Sequence, residues 1–244
     1  MAPDHLLCAR CGASLKGHAV ARGLCPACLL TTALAVDDDP HQSGEPADLI
    51  PYRVVTILAR GDRGITYFAY PLGSSRAVAL KIVGPCNVGA VLSRFARWKD
   101  ALVLGERPNI ARVVDVGPSD EHRVYVASEY VTGRSLDALA RRRTLTQVQR
   151  IDIVRQIAGA LGAAHERKLA HMRLDASRVK IAMSGGLHVT LLGLGASLIL
   201  DGTNPDPDED VGALVRMCHE LEVSLPRQAY AAADALRADL AGAT

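Results

Sequence analysis

The chain has 244 residues, a length that suits one large domain or two small ones. Apolar residues make up 49% and charged residues 22%, a globular composition that excludes a disordered or fibrous protein. The net charge of +2 gives no overall excess that would attract nucleic acid or a membrane surface. The first residues lack the basic start and apolar stretch of a secretion signal, so we expect a cytoplasmic protein.

Two C-x2-C pairs lie near the N-terminus, Cys8 with Cys11 and Cys25 with Cys28, and 13 residues separate them. Four thiolates that converge from two tight turns suit a tetrahedral Zn²⁺ ion. The alternatives are two disulfides or four free thiols, but a reducing cytosol disfavours disulfides. We therefore predict a closed, structural zinc site with these four cysteines as its ligands.

The zinc module is followed by a short helix pattern and then by an acidic segment. Over residues 8–34, a C-x2-C-G pair leads to G-L-C-P-x-C-L-L and an alanine-leucine run, which resembles the zinc-ribbon leader of many bacterial serine/threonine protein kinases. The module is assigned to residues 1–34. Residues 35–49 mix acidic residues with Pro and Gly and have no apolar periodicity, so they are predicted to be a flexible linker.

A larger domain is predicted from residue 50. Two strand patterns flank a turn that contains Gly61 and Gly64, and two glycines at this spacing alone predict only an ordinary hairpin. The next strand, Ala77 to Val83, carries Lys81 inside an apolar run. Burying an ammonium group is costly unless it meets an anion, so Lys81 is a candidate binding residue.

The glycine hairpin, followed 17 residues later by the lysine of V-A-L-K, resembles the N-lobe of a protein kinase. Later motifs keep the order of that family: R-P-N-I-A-R-V-V-D-V-G at 107–117, a strand and hinge at 124–133, a long helix at 145–167 and D-V-G-A-L at 210–214. The resemblance covers residues 52–221. It implies an α+β, bilobal protein-kinase-like fold, with the N-lobe and hinge in 50–133 and the C-lobe in 134–244. It also implies a nucleotide site formed by Gly61, Gly64, Ala79, Lys81, Glu129 and Val131.

The catalytic positions of the family are not retained. The H-R-D-L-x-x-x-N loop corresponds to residues 171–178, in which Arg173 replaces the catalytic aspartate and Arg178 replaces the metal-binding asparagine. Gly193 replaces the metal-binding aspartate of the D-F-G triplet. In helix C, Trp98 stands where the glutamate partner of the strand lysine belongs.

One carboxylate remains near the altered loop. Asp175 lies two residues after the position of the catalytic base, where a loop or capping role is expected. Phosphoryl transfer depends on positioning and on metal stabilisation, and the residues for both are replaced. The resemblance therefore implies a pseudokinase, which is a catalytically inactive regulatory or interaction module. The alternatives are an active ATP-dependent serine/threonine protein kinase and a transferase that moves a different group from ATP.

The C-lobe is expected to be reduced. Only 14 residues separate Gly195 from Asp210, and this segment has no A-P-E-like anchor for a peptide substrate. Residues 204–210 are acidic and interrupted by Pro, so they are predicted to form a loop. The uncharged stretch 181–200 contains a Gly-Gly pair and is predicted to form two short strands, and a last helix is predicted at 229–240.

The replacements make the expected cleft more positive than in the family. Two ligands fit this charge: a nucleotide bound without metal on Lys81, Arg173 and Arg178, or an acidic peptide. The peptide would come from a partner or from the chain's own residues 206–209. Alternatively, both arginines point to solvent or pair with nearby acids. We expect structural zinc, ATP without Mg²⁺ as a candidate ligand, a protein partner, and neither nucleic acid nor a membrane.

Overall fold

The computed structural model describes residues 51–102, 109–183, 185–226 and 230–241. The four cysteines of the predicted zinc site and the linker 35–49 lie outside the described residues. The chain divides into two compact units: unit 1 takes its described residues from Met1–Val88 and Asp115–Gly133, and unit 2 takes them from Gly89–Val114 and Arg134–Thr244. Residues 89–102 and 109–114 therefore group with unit 2, although they fall within the range 50–133 of the sequence division.

Unit 1 is built on a five-stranded sheet in the order β1-β2-β3-β5-β4. The strands are β1 (Tyr52–Gly61), β2 (Gly64–Pro71), β3 (Val78–Val83), β4 (Val113–Pro118, of which the part from Asp115 onward belongs to unit 1) and β5 (Val124–Glu129). The pairs β1/β2, β2/β3 and β3/β5 are antiparallel. The strand patterns predicted around the glycine turn and in the V-A-L-K segment are confirmed.

Alternation of side chains along these strands gives unit 1 its core. One face of the sheet holds a buried cluster, because residues two positions apart in a strand point to the same side. The cluster contains Tyr52, Tyr67, Ala69, Val78, Leu80, Ile82, Tyr125 and Ala127. Within it, the hydroxyls of Tyr125 and Tyr52 donate to Oδ2 of Asp115, at 2.8 and 3.3 Å. Burial, with the Asp115 charge, raises the pKa of Tyr52 to about 12.

Unit 2 combines helices with a small sheet. The helices are α1 (Val88–Leu102, whose first residue belongs to unit 1), α2 (Leu136–Arg141), α3 (Gln147–His165), α4 (Ala196–Leu200), α5 (Pro207–Glu220) and α6 (Ala233–Ala241). The sheet has the order β6-β7-β8, with β6 (Arg134–Ser135), β7 (Val179–Ala182) and β8 (His188–Leu191). A 3-10 turn (Ala176–Arg178) leads into β7. The two strands predicted around the Gly-Gly pair are confirmed as β7 and β8, but the prediction of strands for the whole stretch 181–200 is wrong at residues 196–200, which form α4.

Helix α3 lies at the centre of unit 2. Thr146 caps its N-terminus in a reciprocal capping box with Gln149, which satisfies backbone groups that the helix itself leaves open. Nine of its residues are buried, because α5, α6 and β8 all pack against it. The helix predicted over 145–167 is confirmed and is two residues shorter at each end. The last predicted helix is confirmed as α6, although it begins at Ala233 instead of residue 229.

The loop predicted over 204–210 is wrong in its second half, where α5 begins. Pro207 is the first residue of the helix, and the side chain of Asp206 caps it by accepting a hydrogen bond from the backbone N–H of Asp208, at 3.0 Å. Proline suits a first helical position, since its missing N–H has no partner there. Acidic residues in the first turn also complement the helix dipole. The features that suggested a loop are those of a helix start.

Among the described residues, none of the helices is both long enough and apolar enough to cross a membrane.

Candidate functional site

The two glycines predicted to bind nucleotide lie at the turn between β1 and β2. Gly61 and Gly64 form the last pair of this ladder, with Asp62 and Arg63 between them. Gly64 has a φ of +132°, and a Cβ atom there would lie 1.9 Å from the carbonyl oxygen of Ile82. The close approach of β3 therefore requires glycine at position 64, whatever the turn binds.

The other predicted nucleotide residues lie on β3 and around the end of β5. Ala79 and Lys81 are two positions apart in β3, so they share the face opposite the buried cluster. Both are partly exposed, so Lys81 does not stand in a fully buried run as the sequence suggested. Glu129 ends β5 and is exposed, and Val131 follows it with a partly exposed side chain. Unit 1 therefore places Ala79, Lys81 and Glu129 on the neighbouring strands β3 and β5, with Val131 two residues after the end of β5.

In unit 2, a buried carboxylate holds the loop that corresponds to H-R-D. Asp210, in the first turn of α5, is 0% exposed and accepts hydrogen bonds from the backbone N–H groups of His171 and Met172, both at 2.7 Å. Its Oδ2 also lies 2.9 Å from Nε2 of His165. These three partners offset the cost of burying the charge. They fix the backbone directly before Arg173.

The ring of His171 ties the same loop to the end of β8. It is 1% exposed, and its Nε2 lies 2.9 Å from the carbonyl oxygen of Leu192. The backbone N–H of Arg173 donates to its Nδ1, at 3.3 Å. A neutral ring with its hydrogen on Nε2 satisfies both contacts. Burial lowers the pKa of His171, and the Arg178 charge acts in the same direction, whereas the Leu192 carbonyl and the Asp210 charge oppose the shift.

Asp175 closes the second half of the loop. It caps the 3-10 turn, where its Oδ1 accepts from the backbone N–H of Ser177 at 2.8 Å and its Oδ2 accepts from Nε of Arg178 at 3.0 Å. Partial burial acts to raise the pKa of Asp175, but hydrogen bonds from Ser177 and the Arg178 charge outweigh it and hold that pKa below its ordinary value. The predicted capping role of Asp175 is confirmed.

The side chain of Arg178 reaches the backbone at Gly193. The N–H of Leu192 donates to the Arg178 carbonyl at 2.8 Å, which aligns the end of β8 with the loop. A Cβ atom at Gly193 would lie 3.5 Å from Nη1 of Arg178. A side chain at position 193 would therefore start beside a guanidinium group. Arg173, five residues earlier than Arg178, has an exposed side chain.

The segment after β8 packs as a helix against α1. A Cβ atom at Gly195 would meet Leu102 at 2.2 Å, and one at Gly202 would meet the Arg94 guanidinium at 2.3 Å. The residues that α4 buries are Ser197, Leu198 and Ile199. Trp98, at the position of the expected helix C glutamate, lies in α1 with a partly exposed side chain. Within the described ranges, no group of three His, Cys, Asp or Glu side chains is placed to hold a metal ion.

Two structural residues were missed by the sequence reasoning. The D-V-G-A-L motif at 210–214 indicated the start of a helix but gave its aspartate no role. An acidic residue at the start of an otherwise apolar helix face could have indicated a buried, hydrogen-bonded carboxylate. For Gln156, the sequence contains no pattern that indicates a structural role. Its Oε1 accepts from Nδ2 of Asn109 and the N–H of Val189, at 3.1 and 3.0 Å, and its Nε2 donates to Asp152 and the Leu187 carbonyl, at 2.9 and 3.0 Å. This amide joins α3, β8 and the segment at 109.

Comparison with known proteins identifies similar sequences among bacterial serine/threonine protein kinases. No protein-family model matches the chain. Serine/threonine-protein kinase pkn3 of Myxococcus xanthus is 28% identical over 197 residues, which are 78% of this chain and 35% of that protein. Serine/threonine-protein kinase PrkC of Bacillus subtilis is 26% identical over 150 residues, which are 60% of this chain and 23% of that protein. The chain thus spans only a minor part of the curated relatives it matches.

Solved structures resemble the chain over a larger share of their own length. The kinase domain of Mycobacterium tuberculosis PknI has a TM-score of 0.57 and 26% identity, and the match covers 78% of this chain and 84% of that domain. A double mutant of the same domain has a TM-score of 0.59. The chain therefore has a protein-kinase-like fold with an antiparallel N-terminal sheet, and it is homologous to bacterial serine/threonine protein kinases.

Proposed function

We propose that the chain is a pseudokinase, a protein-kinase-like module that does not transfer phosphate and acts by binding a partner. The observation that carries this proposal is the arrangement of the loop 171–178. Asp210 accepts hydrogen bonds from the backbone N–H groups of His171 and Met172, and the ring of His171 accepts one from that of Arg173, so defined contacts hold the segment that the order of motifs assigns to the family's loop. Arginines then stand where a base and a metal ligand are needed.

The chemistry of phosphoryl transfer explains why these replacements matter. The reaction has little covalent chemistry for the protein to perform, so its rate comes from positioned metal ions and a residue that orients the nucleophile. Gly193 offers no carboxylate, and the guanidinium of Arg178 stands beside it. A divalent cation would be repelled there instead of being held.

Asp175 is the carboxylate of this loop that could act as a displaced base. It already accepts hydrogen bonds from Ser177 and Arg178, and its pKa is held below the ordinary value, which makes it a poor proton acceptor. The rival proposal, an active serine/threonine kinase, draws on the similarity to the serine/threonine-protein kinases pkn3 and PrkC. It would need Asp175 to leave these partners.

We also propose that the C-lobe is reduced, and the short segment between α4 and α5 supports this. Only residues 201–206 separate α4 from α5, and the side chains of Ser197, Leu198 and Ile199 in α4 are buried. The exposed face of α5 is polar, so it gives no sign of a missing apolar cover. Apart from Pro207 at its first position, its exposed residues are Asp208, Glu209, Arg216, His219 and Glu220. We infer that no docking platform for a peptide substrate is built from this segment.

The N-terminal residues complete the proposed architecture. We propose that Cys8, Cys11, Cys25 and Cys28 bind one structural zinc ion, and that the acidic linker 35–49 tethers this ribbon to the kinase-like part. A tethered ribbon beside an inactive kinase-like module suits protein–protein interaction better than catalysis.

The direct test is phosphoryl transfer from radiolabelled ATP to a generic protein substrate, with Mg²⁺ or Mn²⁺. We expect no incorporation above that of the Lys81→Ala variant, because neither protein can hold the metal ions. Incorporation by the natural chain that Lys81→Ala abolishes would refute the proposal.

A further inference from the structure

The loop 171–178 of unit 2 carries a partly exposed guanidinium beside a glycine. Arg178 donates through Nε to Asp175 at 3.0 Å, and its side chain is 32% exposed. Its Nη1 lies 3.5 Å from where a Cβ of Gly193 would be, so the absence of a side chain at 193 leaves room beside it. The contact with Asp175 fixes the direction of the fork, which lowers the entropy lost when a ligand binds.

A second guanidinium belongs to the same loop. Arg173 has an exposed side chain, while its backbone is fixed by the bond to His171. The loop 171–178 contains two arginines and a single carboxylate, Asp175, which bonds to Arg178 and not to Arg173 among the described contacts. The loop keeps a positive charge.

We propose that Arg173 and Arg178 bind a phosphate group directly, without a metal ion. The ligand class is a polyphosphate, either free or as the phosphate chain of a nucleotide. Planar guanidinium groups suit this ligand, because each can donate two parallel hydrogen bonds to phosphate oxygens. The inference rests on the proposed function, since a working kinase would need Mg²⁺ where Arg178 now lies.

This site predicts an unusual response to Mg²⁺. In a metal-dependent site, the ion bridges phosphate and carboxylates and strengthens binding. Here Mg²⁺ bound to the polyphosphate would reduce its negative charge and bring a second cation close to Arg178. Binding should therefore be stronger in EDTA than in Mg²⁺.

The experiment is calorimetric titration of the whole chain with sodium tripolyphosphate and with ATP, each in EDTA and then in excess Mg²⁺. We expect binding in EDTA that Mg²⁺ weakens. Arg178→Gln should weaken it about tenfold, the size expected for loss of a charge-assisted bond. Arg216→Gln is the matched control, because it removes an exposed arginine of α5 and should leave the affinity unchanged.

Gly193→Asp gives a second variant that keeps both arginines. Asp tolerates the positive φ of +83° at this position better than most residues, and its carboxylate would start beside Nη1 of Arg178. We expect it to pair with Arg178 and to abolish binding in EDTA. Unchanged binding by either variant would overturn the proposal, so the test stands even if the other variant folds poorly.

The two sources of phosphate are separated by comparing the ligands. Equal affinity for tripolyphosphate and ATP would identify a site for the phosphate chain alone, and tighter binding of ATP would identify a nucleotide site. No binding in EDTA, binding that requires Mg²⁺, or binding of an acidic peptide in place of both phosphates would refute the inference. None of these measurements involves phosphoryl transfer, so this inference and the proposed function can fail separately.

Discussion

Replacing Asp210 by Asn tests whether this buried carboxylate holds the loop 171–173. Asn keeps the size of the side chain and one acceptor oxygen, which can serve Met172. Its amide group would face the N–H of His171, now 2.7 Å from Oδ2, so two donors would oppose each other. A buried N–H without an acceptor costs about 1–3 kcal/mol, and loss of the charge weakens the bond that remains. We expect a loss of about 3 kcal/mol in the free energy of unfolding.

Asp208→Asn is the matched control, because Asp208 stands in the same first helical turn but is exposed. Both substitutions remove a charge that the helix dipole favours, an effect of about 0.3–1 kcal/mol. The difference between the variants therefore isolates the buried hydrogen bonds. Urea unfolding followed by circular dichroism measures it, and hydrogen exchange at His171 and Met172 should quicken only in Asp210→Asn. Equal stability of the two variants would refute this account of the loop.

Further predictions concern His171, Gly64 and the cysteines. Because the pKa of His171 lies below its ordinary 6.5 in the folded chain, the unfolded chain takes up the proton first, so stability should fall as pH drops below 6.5. Urea midpoints between pH 7.5 and 5.5 check this: His171→Asn should reduce the slope, and the exposed-site control His188→Asn should not. Gly64→Ala should lower the free energy of unfolding by about 3 kcal/mol or more in urea, because its Cβ would meet the Ile82 carbonyl. Gly73→Ala is the control, since the space around Gly73 is open, and it should lower the free energy of unfolding by about 1–2 kcal/mol. Similar losses in the two variants would contradict the packing argument. Elemental analysis should find one zinc ion per chain, absent when the four N-terminal cysteines become serine, and metal-free natural protein purified under reducing conditions would contradict the zinc proposal.

The strands of unit 1 could be predicted because their signal is local. Alternating apolar residues fix which face of a strand is buried, and the position of Lys81 between Leu80 and Ile82 follows from that period. The sequence does not show why position 64 must be a glycine. Its glycine is required by the backbone of β3, and that contact depends on how two strands pair. A glycine needed for packing and one needed for a ligand look alike in a sequence.

The helix start at Pro207 shows a different limit. Acidic residues and prolines are common both in loops and in the first turn of a helix, so composition alone could not separate the two. The apolar residues of α5 come after Asp210 and mark the helix only from there on.

The residue types of the candidate site could be predicted from the sequence, but the contacts between those residues could not. The replacements at Arg173, Arg178 and Gly193 follow from the order of motifs. That the guanidinium of Arg178 would lie beside Gly193 depends on the pairing of β7 with β8 and on the cap at Asp175, which are set by tertiary structure. One alternative from the sequence was that the arginines pair with nearby acids. This is confirmed for Arg178, which bonds to Asp175 through Nε.

The central claim is that this kinase-like chain does not transfer phosphate, and formation of ADP tests it without the need to know a protein substrate. The chain, in excess over ATP and with Mg²⁺ present, would be incubated for hours, and ADP would be measured by chromatography for the natural protein and for Lys81→Ala. The account predicts the same slow background in both. ADP formed by the natural chain at a rate that Lys81→Ala abolishes would contradict it.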